Sequence, residues 1–191
     1  MKARASLVAL RSTFGGMEPM VQALVDHFGM TPLPVEATWF VSTWRSVADL
    51  PEGGPVGTAM IGLYAADPPS RSLFHRLTFD ETWHFYGGDP LRLVLLHPDG
   101  TTAEVTMGPD PLAGQHVQYV IPAGTWQAGE LVPGGRWALF GCTLAPGFTG
   151  TCFEGGRASD LLGIYPDRAN DIRRLGLPDH EVTTMPDGFA S

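Results

Sequence analysis

Basic residues are scarce in this chain. Twelve Lys and Arg stand against twenty Asp and Glu, for a formal net charge of −8, and they form no cluster, so the positive footprint that a phosphate backbone demands is missing. Nucleic acid is not an expected partner. Long apolar runs are missing as well: none reaches the ~18 residues of a membrane span, so no membrane partner is expected. The opening MKARASLVALRSTF has a basic tip. Its apolar patch, SLVAL, is shorter than the roughly 7–15 residues of a signal-peptide core, and Arg11 interrupts it. The expected location is cytoplasmic. Cysteine is limited to Cys142 and Cys152 with no CxxC pair, which implies neither a disulfide framework nor a zinc site. No segment repeats at a fixed period, and no low-complexity block occurs.

Turn formers are plentiful. The chain carries 24 glycines and 17 prolines, residues that break helices and favour turns, so an all-β fold is expected. With 191 residues, 43% of them apolar, it can bury one substantial core. The expected organisation is an N-terminal arm over 1–16 ending in Gly15-Gly16, a single domain over 17–176, and a frayed tail over 177–191 that lacks a core pattern. EPMVQALVDHFG predicts a helix over 18–29, with Met20, Leu24, Val25 and Phe28 on one stripe and Gly29 as the stop. Strands are predicted over 37–46 and 58–66. LRLVLLHP (91–98) and AEVTMG (103–108) form a hairpin around Asp99-Gly100. Short strand-like stretches follow over 116–124, 125–132 and 136–146, a spacing that suits a sandwich or barrel. Residues 158–176 read as helix, with Ser159 as N-cap, Pro166 splitting it in two and Gly176 ending it.

The chemistry is densest in FHRLTFDETWHFYGG, Phe74 to Gly88. It holds His75, His84, the carboxylates Asp80 and Glu81, Trp83 and Tyr86. A histidine in a partly dry barrel, oriented by a carboxylate, is a competent general base near neutral pH. On a continuous strand His84 has parity opposite to His75 and Glu81, unless a turn at Asp80-Glu81 resets it.

HRLTFDETWHFYGGDPLRLVLLHPDG, then GPDPLAGQHVQYVIPAGTWQAG, then GCTLAPGF and a C-terminal helix ending IRRL together resemble the Cupin_5 family of the cupin superfamily, from roughly Ala23 to Leu175. The resemblance implies a double-stranded β-helix, or jelly-roll barrel, with a ligand pocket inside and a homodimeric state. The cupin pattern HxHxxxE with a closing glycine falls on His75, Leu77, Glu81 and Gly88. The second pattern, PxGxxH, falls on Pro122, Gly124 and Gln127. Two of the four usual metal ligands are thus replaced, and a leucine donates nothing while an amide oxygen is a weak ligand. No metal or other cofactor is expected; the alternative metal set is His75 and Glu81 with Gln127 or His84.

Metal-free cupins of this broad kind include deoxysugar 3,5-epimerases, in which a histidine removes a proton beside a carbonyl and a tyrosine returns one. The resemblance therefore implies His75 as base, Tyr86 or Tyr64 as acid, and Glu81 or His84 holding the geometry. Candidate substrate contacts are Arg45, Trp39, Phe85, Trp126 and Gln127. Relatives commonly carry an EGGYF-like segment where this chain has Glu36-Ala37-Thr38-Trp39-Phe40, and Gly147–Gly156 is richer in glycine than the family pattern. Both departures point to one particular small molecule. The expected function is a metal-independent enzyme of epimerase, isomerase, dehydratase or cyclase type acting on a carbonyl-containing or sugar-like substrate. The rivals are a non-catalytic cupin that binds a sugar- or nucleotide-like ligand, and a metal-dependent cupin oxygenase or isomerase.

Overall fold

A computed structural model describes residues 17–36 and 38–190; the expected arm over 1–16 lies outside them. Helix α1 (Pro19–Phe28) comes first, capped by the Glu18 carboxylate, which accepts the Val21 N–H at 2.9 Å, and closed by Gly29. Strands follow in order: β1 (Thr31–Pro32), β2 (Trp39–Arg45), β3 (Thr58–Ala66), β4 (Pro69–Ser70), β5 (Ser72–Leu77), β6 (Glu81–Gly88), β7 (Leu91–Leu96), β8 (Thr102–Met107), β9 (Gln118–Ile121), β10 (Trp126–Leu131), β11 (Trp137–Leu144) and β12 (Phe153–Gly155). Helices α2 (Ala158–Leu162) and α3 (Ala169–Leu175) close the order, separated by a short 3-10 turn that begins at Pro166.

The strands make two antiparallel sheets. One runs β1-β2-β3-β11-β6-β9, with β4 on β3, and the other runs β12-β5-β10-β7-β8. Tyr64, Trp83, Phe140 and Cys142 from the first meet Leu91, Leu93, Leu95 and Met107 from the second in one buried cluster. This is the all-β jelly-roll of the cupin fold. Strand β7 shows why LRLVLL reads as a continuous apolar run. Leu91, Leu93 and Leu95 face the barrel interior, while Val94 and Leu96 lie beneath α2 and α3, so both faces are covered. Helix α1 covers the outer face of the other sheet through Val21 and Val25 against Leu63, Ala65 and Trp39.

An ion-pair network pins α3 to its sheet. Arg92 on β7 reaches Glu130 at 2.8 Å, Glu104 at 2.9 Å and Asp171 of α3, and Arg174 adds Asp171 at 2.7 Å. Two expectations need correcting here. Ser159 is not the cap of α2, which has no side-chain cap; its hydroxyl donates to Asp179 Oδ1 at 2.6 Å. The segment after Gly176 is not frayed either. Leu177 and Met185 are buried, and backbone N–H groups of Gly155 and Gly150 donate to the carbonyls of Thr183 at 2.7 Å and Phe189 at 3.0 Å. Met185 fills a cluster with Leu77, Leu144, Cys152 and Phe153, and the Phe189 ring lies 6.0 Å from Phe40 and 6.2 Å from Phe148. The sequence hides this because its apolar residues arrive singly, docked by tertiary contacts and not by any local period.

Met185→Ala should lower the unfolding free energy by about 2 kcal/mol, the low end for truncating a buried methionine. Urea denaturation measures this, and an unchanged midpoint would mean that the tail contributes nothing to the fold.

Candidate functional site

The turn Thr78–Asp80 divides the chemistry-rich stretch between the two sheets. His75 belongs to β5 in one sheet and Glu81 to β6 in the other, yet both line a single cavity of about 70 Å³ inside the barrel. What aims His75 is an irregularity in β5. Gln127 of β10 pairs with His75 while Gly129 pairs with Ser72, so three steps along β5 oppose two along β10. This is a β-bulge, and it lets residues of unlike parity, Ser72 and His75, both face inward. The bulge also turns the Leu73 carbonyl toward the ring of His75, whose Nδ1 lies 2.8 Å from it. A carbonyl only accepts, so Nδ1 carries the proton and Nε2 of the neutral ring holds a free lone pair. Phe153 of β12 stacks on the imidazole at 5.2 Å and 17°. Burial pulls the His75 pKa below its ordinary value, against the opposing field of Glu81 and the bond to Leu73.

Glu81 is gripped on all sides. Its Oε2 accepts from Trp83 Nε1 at 2.9 Å and from Gln127 Nε2 at 2.8 Å, and the Cys142 thiol donates to the same carboxylate. Burial raises its pKa, while His75, Gln127 and Trp83 hold it down. The donors oppose that rise without cancelling it, so the carboxyl stays above its ordinary value. Gln127, expected as a substrate contact, spends its amide on the protein: Nε2 on Glu81, and Oε1 on Trp83 Nε1 at 3.0 Å. Its role is to position Glu81.

The residue that sequence reasoning missed is Glu36. Its side chain is 6% exposed, with Oε2 3.4 Å from His75 Nδ1 and without any hydrogen-bond partner. Burial pushes its pKa up to about 8, against a hydrogen bond from Ser72. Ser72 is in turn fixed by Tyr64, whose hydroxyl donates to Ser72 Oγ at 2.7 Å, and by Thr38 Oγ1 at 3.0 Å. The Tyr64 hydroxyl fits there because position 129 on β10 is glycine; a Cβ would collide with it. The signal was in the Glu36-Ala37-Thr38-Trp39-Phe40 segment, where the substituted positions drew attention and the retained glutamate did not.

The other expected residues go elsewhere. Tyr64 faces inward but is fully buried, bonded to Ser72 and apart from the residues that line the cavity, and burial drives its pKa well above the ordinary value. His84 and Tyr86 sit on the outer face of β6. His84 meets Thr143 Oγ1 at 3.0 Å and Gln118 Nε2 at 3.2 Å, and Tyr86 stacks on it, 53% exposed. The turn preserves parity between β5 and β6: His75, Leu77, Glu81 and Trp83 all face inward, so His84 takes the opposite face as expected for a continuous strand. Trp39 packs under α1, while its neighbour Phe40 lines the cavity. Phe85 packs against the deeper core instead of the cavity. Trp126 lies beneath the C-terminal helices with the Arg76 guanidinium 4.5 Å above its ring. Arg45 pairs with Asp49 at 3.0 Å in a solvent-exposed position.

The donor set does not fit a first-row metal ion. Leu77 occupies the place of a second histidine, Gln127 is committed at both ends of its amide, and Glu81 Oε2 already accepts two N–H groups. Among the described residues no three His, Cys, Asp or Glu side chains converge as metal ligands. Nor is any helix among them long and apolar enough to cross a membrane.

Comparison with known proteins agrees with the architecture. The profile of the Cupin superfamily (DUF985) family Cupin_5 matches residues 22–155. The solved structure of protein SO0799 from Shewanella oneidensis is similar with a TM-score of 0.75 and 26% identity, over 83% of this chain and 98% of that one. A hypothetical protein from Leishmania major is similar with a TM-score of 0.72 and 25% identity, over 81% and 97% of the respective chains. A search of curated proteins returned no match.

The buried carboxyl makes stability pH-dependent. The folded protein keeps Glu36 protonated up to about pH 8, whereas the unfolded chain ionises it near its ordinary 4.5. Between those values the folded state binds more protons, so the contribution of this group falls as pH rises through the window. Glu36→Gln, measured by urea denaturation, should therefore gain stability relative to wild type from about pH 5 to about pH 8. A difference that is flat with pH would show that Glu36 titrates like an exposed carboxylate.

Proposed function

The chain belongs to the Cupin_5 family of the cupin superfamily, and we propose that it is an enzyme that moves protons on a small carbonyl compound inside its barrel, with His75 as base and Glu36 as acid. The observation that carries this reading is the pairing of a neutral imidazole, its Nδ1 proton committed to Leu73, with a buried carboxyl whose Oε2 has no partner. Two carboxylates sit in one cavity in unlike environments. Glu81 faces several donors, and Glu36 faces Ser72 and an open side. Environments that separate two acids in this way divide the roles between them.

The step is balanced as follows. His75 Nε2 takes the proton from the carbon beside the carbonyl, the C–H electrons move to form the enol double bond, and the carbonyl oxygen receives the Glu36 proton. The cavity passes from a neutral pair to His75 imidazolium beside Glu36 carboxylate, with no change in net charge. The new ions face each other across the 3.4 Å Nδ1–Oε2 separation. In a low-dielectric site that attraction supports the charge-separated state. Glu81, whose field raises the proton affinity of His75, keeps the imidazole basic enough to act despite its burial. Return of the proton to the other face epimerises the carbon, return to a different atom isomerises the substrate, and loss of a β-hydroxyl dehydrates it. The apolar cavity wall also suits a non-catalytic binder, which would leave its ligand unchanged.

Deuterium exchange separates the two readings. Wild-type protein in D₂O should speed loss of the α-protons of acetone, followed by NMR. His75→Ala should abolish the acceleration and Glu36→Gln should cut it about 10²-fold or more, the usual scale for losing an acid or base, with unchanged circular dichroism. The wild-type rate should fall above about pH 8 as Glu36 ionises, and the Gln variant should lack that limb. Ketone returned with all its α-protons by wild-type protein that binds it would establish the binder instead.

A further inference from the structure

The cavity wall narrows the substrate class, and this inference rests on the acid–base reading of the same site. Leu33, Phe40, Met60, Leu77, Phe148 and Phe153 supply most of the lining, polar atoms come from Glu36, His75, Glu81, Thr58 and Cys142, and among the described residues no Lys or Arg lines the cavity. Arginines on neighbouring strands are engaged outside: Arg45 with Asp49 at 3.0 Å, and Arg76 with Glu154 at 2.7 Å. A phosphate or carboxylate needs cationic or clustered N–H donors. Here it would meet two buried carboxyl groups and no cation, an environment that opposes any further negative charge. A sugar fares little better. Each hydroxyl left against a Leu, Met or Phe wall gives up its hydrogen bonds to water with no replacement.

Size points the same way. The cavity of about 70 Å³ is smaller than the roughly 150 Å³ apolar cavity that admits benzene in another protein. Enlarging it means moving Phe40 and Phe148, and the ring of Phe189 in the C-terminal segment lies against both, at 6.0 and 6.2 Å.

From these observations we infer that the site takes a small, uncharged, largely apolar molecule bearing one carbonyl-type oxygen, with Phe189 setting its upper size by buttressing Phe40 and Phe148. Nucleotide sugars and sugar phosphates are thereby excluded. The charge of the ligand follows from the wall, its single oxygen from the Glu36 proton, and its size from the aromatic closure.

Binding is read without turnover, through the Met60 methyl and His75 ring resonances of the wild-type protein. Acetone should shift both saturably, and glucose and dihydroxyacetone phosphate should shift neither. Phe189→Ala should admit cyclopentanone, which is about the size of benzene and which the wild type should refuse. Displacement of acetone by the phosphate or by glucose overturns the assignment of class, and an unchanged size limit in Phe189→Ala overturns the role of Phe189. Acetone bound without α-deuteration supports the ligand class while removing the acid–base reading. Deuteration of dihydroxyacetone phosphate does the reverse.

Discussion

The hydrogen bond between His75 Nδ1 and the Leu73 carbonyl exists because β5 carries one more residue than the strand it pairs with, and the polar interior of the barrel follows from that mismatch. With regular alternation, Ser72 and His75 would face opposite sides of the sheet. The bulge brings both inside. Ser72 then anchors Glu36, and the fixed tautomer of His75 defines which nitrogen is free. Phe153 and Leu77 complete the frame by packing around the ring, so the imidazole has little room to rotate.

Burying a carboxyl oxygen with no donor costs stability, and most buried polar groups are paired for that reason. Glu36 keeps that cost down by holding its proton, and the protein supplies Glu81 with Trp83, Gln127 and Cys142 as partners. The contrast resides in the neighbours and not in the acids themselves. Gln127 illustrates the change of use. At the position where a metal-binding cupin places a histidine, this chain has an amide that serves a carboxylate. The same barrel position thus serves hydrogen bonding within the protein here.

Much of the fold was legible in the sequence because its signals are local. Pro19 and Gly29 bound α1, β3 occupies the predicted 58–66, and Asp99-Gly100 turns the β7–β8 hairpin. His75 and Glu81 were legible through the spacing of the cupin pattern. Residues whose roles depend on which way a strand faces were not. His84, Tyr86 and Trp39 have suitable chemistry and lie on outer faces. Alternation from Glu81 sets His84 and Tyr86 on the opposite face, as expected of a continuous strand, while nothing in residue type marks which face of β2 is the inner one. Glu36 was hidden for a related reason. It precedes β2, outside any periodic run, and only tertiary contact with Ser72 and His75 gives it a role. The buried tail residues Leu177 and Met185 belong to the same group.

The tail carries a consequence beyond the cavity. Strand β12 is only three residues long and ends its sheet, and on its far side the Gly155 N–H is taken up by the Thr183 carbonyl. An open sheet edge offers its backbone groups to any passing strand and invites intermolecular pairing. Thr183 occupies that edge at Gly155, the residue paired with His75 across β5, so the C-terminal segment also covers this margin of the sheet at the level of the cavity.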